Sequence, residues 1–359
     1  MTRKERVLTT INGVEPDRVP CDFSANRFVV AALHERLGLS SHRALLEYLG
    51  VDIVDLRGVV DPKCIGPVPT QRRLSNTVRE NFWGMRTQVM QTATGPEECY
   101  IDFVLAKCAV CEEIERHTWP QVDWFDFQDI RAGVRFWSDF AVMASGASVF
   151  QHPTFLRGLD QLCVDMLLDP DLANLLLDKF TDFYLAYFDR FFTAARGLID
   201  IFRIADDFGM QDRLLISVDL FRRYFVPRLK KLIDMAHSHS IKVMFHSCGA
   251  IGPLIPELIA LGIDILDPIQ PLAAGMAPKL IKEQYGDRIC LHGGVDTQYL
   301  LPKCGAEAIR AEVRTLIEQL GQGGGYIPAP SHVLQTDVPL ESILVLYAAV
   351  REFGAKSPG

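Results

Sequence analysis

The strongest constraint on this chain is an alternation. From residue 200 onward, short apolar runs rich in β-branched residues at 200–205, 242–246, 263–267, 289–292 and 326–329 are separated by segments of helical period. Strict β-α-β order demands parallel strands covered by helices, because a parallel pair cannot be joined by a tight turn. Three earlier runs, 19–23, 51–56 and 140–144, bring the number to eight. Eight strands alternating with helices predict an α/β fold of the (β/α)8 TIM-barrel type, closed by the run at 326. No Gly-x-Gly-x-x-Gly follows an early strand, which speaks against an open dinucleotide-binding sheet. All 359 residues then form one domain, 1–359.

Between the strands, residues 217–237 place Val218, Phe221, Phe225, Leu229, Leu232 and Ala236 on one helical face, with Ser217 as N-cap and Pro227 as a kink. Ile309, Val313, Leu316 and Leu320 repeat the pattern after Gly305. Residues 76–111 differ. Their alternating Thr, Val, Tyr and Trp, with Gly84 and Thr94-Gly95 as turns, predict β-hairpins inserted after the second barrel strand. Residues 180–192 carry more aromatics than one helix face needs, and core packing is the first explanation.

Charge narrows the functional classes. With 37 basic and 45 acidic residues the net charge is −8, and no Lys/Arg block stands out, so nucleic-acid binding lacks its electrostatic footprint. The charged start and the absence of a long apolar run predict a cytoplasmic protein without a membrane segment. Nine scattered cysteines predict reduced thiols, Cys108 and Cys111 included.

In a barrel the reactive groups follow the strand ends. Those positions hold Asp206 and Asp207, His246 and Cys248, Gln270, Asp296 and Gln298, and His332. His246 and Cys248 are two apart at a strand end, so both side chains point to one side and can share an ion. His332, at the end of the last strand, is the expected third ligand, completing the three N/S donors and open position of a catalytic zinc. Asp206 and Asp207 are candidate catalytic groups, with helix capping as the alternative. Asn26, Gln270, His292, Asp296 and Gln298 are candidate substrate contacts, against a surface salt bridge for Asn26 and its neighbour Arg27, loop stabilisation for Gln270, Asp296 and Gln298, and a strand-interior place for His292.

Phe-His-Ser-Cys-Gly at 245–249, Pro-Ile-Gln-Pro at 268–271, His-Gly-Gly-Val-Asp-Thr-Gln at 292–298 and Ala-Pro-Ser-His at 329–332, followed by Asp337-Val-Pro-Leu-Glu341, resemble the uroporphyrinogen decarboxylase superfamily. Glu5-Arg-Val-Leu and Asp17-Arg-Val-Pro extend the resemblance to nearly the whole chain. It implies a (β/α)8 barrel and one of two chemistries. The metal-free decarboxylases carry Arg-Gln-Ala-Gly-Arg near the N-terminus, where this chain reads Cys-Asp-Phe-Ser-Ala-Asn-Arg at 21–27. The cobalamin-dependent methyltransferases bind zinc through His-x-Cys and a later Cys, matched here by His246 and Cys248, with His332 at the later position.

One thiolate and two imidazoles leave zinc with about one positive charge, a stronger Lewis acid than a two-thiolate site and one suited to an oxygen ligand. The implied activity is transfer of a methyl group from a small O-methyl substrate to the cobalt of a corrinoid on a separate partner protein. The family also implies a homodimer. A uroporphyrinogen decarboxylase-like lyase and a non-catalytic tetrapyrrole- or corrinoid-binding protein are the alternatives.

Overall fold

The computed structural model describes residues 1–93 and 95–355. Seven parallel strands form one sheet in which each strand pairs with its neighbour in sequence: β1 (Ile53–Asp55), β2 (Ala141–Ala147), β3 (Ile201–Ala205), β4 (Lys242–His246), β5 (Ile265–Ile269), β6 (Cys290–Val295) and β7 (Tyr326–Pro330). The eighth expected strand, 19–23, is not a ladder strand. Pro20 has no N–H to give, and the Cys21 N–H is taken by the Asp52 carboxylate. The segment still joins the two sheet edges, since Asp22 N–H donates to the Pro328 carbonyl and Cys21 O accepts from Asp52 N–H.

Period two along the strands sorts the inner face into layers. Ile53, Ala141, Met143, Ile201, Met244, Ile265, Cys290 and Ile327 form a buried apolar layer at the N-terminal end. Val7 and Ile11 of α1 (Arg3–Ile11) plug it from below. One step up the first six strands, the inner residues become Asp55, Ser145, Arg203, His246, Asp267 and His292, while β7 contributes Ala329. Apolar packing therefore ends where polar chemistry begins. The Asp17-Arg-Val-Pro and Glu5-Arg-Val-Leu motifs serve this end of the fold: Arg6 reaches Asp17 and Asp52 at 2.7 Å, Arg18 grips Asp52, and Glu5 closes a capping box with Thr2.

Between β1 and β2 lies a four-stranded antiparallel sheet, Gln71–Arg73, Val78–Asn81, Arg86–Thr92 and Gly95–Ile101. It begins earlier than the expected 76, and Thr94, half of the expected turn, lies outside the described residues. Gly95 sits so close to Thr336 that a Cβ there would meet its Oγ1 at 2.0 Å, so this hairpin touches the loop that follows β7.

The aromatic excess at 180–192 has a physical reason. Helix α2 (Pro170–Ala194), the longest in the structure, packs on two partners. Phe188 and Phe192 meet Phe202 of β3, while Phe180, Phe183 and Tyr187 meet Trp83 and Phe125 around the antiparallel sheet, the Trp83–Phe180 rings stacking at 4.3 Å. The single helix expected at 217–237 is broken: Ser217 caps Val218–Leu220, a π-turn covers Phe221–Phe225, and α3 (Val226–Ser238) starts beside Pro227, which cannot donate to the carbonyl four residues back.

Candidate metal centre

Strand β4 ends at His246, and the loop beyond it turns back on the loop after β3. Two glycines permit this: a Cβ on Gly209 would meet Cys248 O at 2.5 Å, and one on Gly249 would meet Gly209 C at 2.5 Å. The loops are tied by Ala250 N–H to Met210 O at 2.7 Å, and Gly249 N–H donates to Gln270 Oε1. Cys248 is thereby held between them, its N–H donating to Asp207 Oδ1 at 2.9 Å.

The result is a cluster in which one ligand atom each from Asp207, His246 and Cys248 lies within 4.8 Å of the others. Sγ is 3.6 Å from His246 Nε2, which is 3.6 Å from Asp207 Oδ1. Thiolate and imidazole bound tetrahedrally at about 2.3 and 2.0 Å stand about 3.5 Å apart, so the donor types and spacing fit zinc. Burial, followed by the nearby Asp207 and Asp267 carboxylates, pushes the Cys248 thiol well above its usual range.

Behind His246 stands the charged inner layer. His246 Nδ1 lies 2.7 Å from Asp267 Oδ2 and 2.6 Å from Arg203 Nη2. A guanidinium only donates, so the two compete for Nδ1, and donation of Nδ1–H to Asp267 is the arrangement that frees the Nε2 lone pair for a metal. Asp267 also accepts from Arg203 Nε at 2.8 Å and meets His292 Nδ1 at 2.8 Å, while His292 Nε2 is 3.1 Å from Asp22 Oδ2. Burial alone would raise the Asp267 pKa, but Arg203, His246 and His292 outweigh it and hold the carboxyl well below its usual range. Burial alone would lower the His292 pKa, yet Asp267 and Asp22 push it up to about 9. Sequence reasoning missed Arg203, Asp267 and Asp22. The signal was an Arg two residues along from Ile201, at an inward position of a strand covered on both faces, where solvent cannot serve it.

The other expected residues separate. Asp207 joins the cluster, but Asp206 faces away from it. Fully buried, Asp206 accepts from Ser148 Oγ at 2.6 Å and from the N–H groups of Val149, Phe150 and Gln151, which open the helix Gln151–Arg157. Burial pushes its pKa up to about 6 against those bonds. Asp206→Ala is expected to lower stability by about 2–4 kcal/mol, since four donors lose their acceptor, as urea unfolding would show; an unchanged midpoint would refute the capping role. His332, the expected third ligand, is exposed, outside the three-residue cluster, with Nδ1 3.2 Å from Val333 O. It nevertheless shares with Asp207 and Cys248 the lining of a pocket of about 460 Å³. Gln270 and Gln298 line the same pocket.

Asn26 caps the helix Arg27–Leu37 through Phe28 and Val29 N–H, and Asp296 accepts three N–H bonds from residues 298–300. His292 lies in the inner layer beneath the cluster. All nine cysteines are unbridged, and Cys108 and Cys111 join no ligand cluster among the described residues. No described helix is long and apolar enough to cross a membrane.

A parallel α/β sheet carrying a Cys, His and carboxylate cluster beyond its strand ends defines the class, and the uroporphyrinogen decarboxylase (URO-D) family model matches residues 138–353. The chain belongs to that family. It is 29% identical over 185 residues to the methylcobamide:CoM methyltransferase MtaA of Methanosarcina barkeri, covering 52% of this chain and 50% of that protein. It is 27% identical over 197 residues to the uroporphyrinogen decarboxylase of Pseudoalteromonas translucida, covering 52% and 50%. The matches thus span about half the length of these curated relatives. A solved methyltransferase from Methanosarcina mazei superposes with a TM-score of 0.69 over 98% of this chain and 99% of that one; at 19% identity this shows the shared fold.

Proposed function

We propose that the protein is a zinc-dependent methyltransferase that moves a methyl group from a small O-methyl compound to the cobalt of a corrinoid carried on a separate protein. The observation that carries the reading is the Asp207, His246 and Cys248 cluster at the wall of the 460 Å³ pocket. The likeness to MtaA supports the methyl-transfer class.

Asp207, His246 and Cys248 would hold the metal, whose contribution is Lewis-acid polarisation of the methylated oxygen. Thiolate, carboxylate and neutral imidazole balance the two charges of zinc. Compared with a second thiolate, the carboxylate is a harder and weaker electron donor, which keeps the preference for an oxygen leaving group. Asp267 holds His246 by Nδ1 and keeps Nε2 unprotonated. Gln151 Nε2, 3.0 Å from Asp207 Oδ2, and Cys248 N–H fix the carboxylate from two sides. His332 gives Nδ1–H to the Val333 carbonyl, so Nε2 would be free to fill the fourth position at rest and to give it up to the substrate oxygen.

The test is zinc stoichiometry on anaerobically purified protein, paired with methyl transfer from methyl ethers to cob(I)alamin followed by absorbance. The wild type is expected to hold about one zinc per chain, Cys248→Ala and Asp207→Ala to lose it, and His332→Ala to retain it more weakly. Zinc kept by Asp207→Ala and lost by His332→Ala would return the third position to His332. No zinc after reconstitution, or turnover of uroporphyrinogen, would overturn the proposal.

A further inference from the structure

The pocket at the candidate metal centre also constrains what it accepts, given the methyl-transfer reading above. Its polar wall is made largely of amides: Gln211, Gln270, Gln298 and Gln335, with Thr297 beside them. No Lys, Arg, Phe, Tyr or Trp lines it among the described residues. Apart from the cluster's own Asp207, the formal charge on the wall is Asp337, which is exposed and therefore weak.

The orientation of two amides is fixed from outside the pocket. Gly249 N–H can only donate, so the Gln270 atom 2.5 Å from it is the carbonyl Oε1. Asn26 uses its own oxygen to accept from Phe28 and Val29 N–H, so its NH2 donates to Gln335 Oε1 at 2.7 Å. Both glutamines thus turn their carbonyl oxygens toward the protein. Their NH2 groups make no bond seen among the described residues and neither nitrogen is sealed from solvent, so both stand free to donate into the pocket that the two side chains line. A bound molecule carrying oxygen acceptors takes these donors in place of water and leaves neither unpaired when it closes the pocket.

We infer that the substrate is an uncharged, acceptor-rich methyl ether, such as a methoxylated alcohol or polyol. With the charges of Asp207 and Cys248 balanced by the metal, a sulfonated thiol or a carboxylate would face Asp337 and find no Lys or Arg on the wall to pair with, and desolvating an unpaired anion is expensive. A quaternary ammonium would find amide donors and no aromatic face.

Direct binding to the purified, zinc-reconstituted protein tests this separately from catalysis. By calorimetry, 3-O-methylglucose and 2-methoxyethanol are to be compared with 2-mercaptoethanesulfonate, 4-methoxybenzoate and tetramethylammonium. The ionic probes are expected to bind at least about 100-fold more weakly than the better uncharged one, a difference of about 2.8 kcal/mol. Asp337→Lys is expected to narrow the gap for the anions. Equal or tighter binding of any ionic probe, or no binding of either uncharged probe, would overturn the inference. If the selectivity holds while no methyl ether supports methyl transfer, the pocket chemistry stands and the methyltransferase reading falls.

Discussion

Asp267→Ala is expected to lower the stability of the protein by about 3–5 kcal/mol, because the substitution leaves Arg203 and His292 buried without the carboxylate they share. Urea unfolding at neutral pH measures the loss, and a change below about 1 kcal/mol would contradict the network. The conservative Asp267→Asn separates charge from packing through its pH profile. His292 titrates at about 9 in the folded protein against about 6.5 in an open chain, so folding favours its protonated form. That contribution is complete below about 6.5 and disappears as the pH rises through about 9. In Asp267→Asn the fall in stability across this window is expected to flatten. An identical slope in both proteins would show that His292 does not depend on Asp267. Because Asp267 also holds His246, the same variant is expected to bind zinc about 10–100-fold more weakly.

The second large effect belongs to Gly249→Ala. The residue sits at φ +87° with its Cβ direction filled by Gly209 C at 2.5 Å and Met210 O at 2.6 Å, both backbone atoms that cannot rotate away. A left-handed residue with a Cβ costs about 1–2 kcal/mol and forced overpacking about 1–3 kcal/mol more. The expected total is about 2–5 kcal/mol, with reduced zinc stoichiometry because Cys248 must move with the loop. Gly13→Ala is the control. It has φ +69° but nothing within 4 Å of a Cβ, so it carries the conformational cost of about 1–2 kcal/mol alone. Equal destabilisation of the two variants would refute the interlocked loops.

What could be read from the sequence follows from the range of the interactions. Seven of the eight expected strands appear in the parallel sheet because each is a short apolar run whose partner is its neighbour in sequence. The run at 19–23 reads the same way locally, yet Asp52, some thirty residues on, takes its N–H. His246 and Cys248 were legible because strand geometry fixes how residues two apart relate. Asp206 and Asp207 were legible only as a pair, since adjacent residues face opposite ways and nothing local says which faces the pocket. His332 lies beyond the end of β7, where strand periodicity no longer determines direction. Arg203 and Asp267 belong to different strands, and no pattern within either segment announces that they meet. The aromatics at 180–192 announced themselves by excess, but their second partner is a sheet whose residues lie about a hundred positions earlier.

The segment that joins β7 to β1 carries a further consequence. It is held by isolated backbone bonds where every other junction is a full ladder, so it is the place where the sheet breathes at least cost. Asp22 sits in that seam and also faces His292 from the side opposite Asp267. An opening of the seam therefore strips one of the two counter-charges from His292, and mechanical fraying and loss of charge balance become a single event. Amide hydrogen exchange at Asp22 and Asp52 thus reports on the charged layer beneath the metal ligands as well as on the closure of the sheet, and a molecule that stiffens that layer protects amides on the far side of the ring.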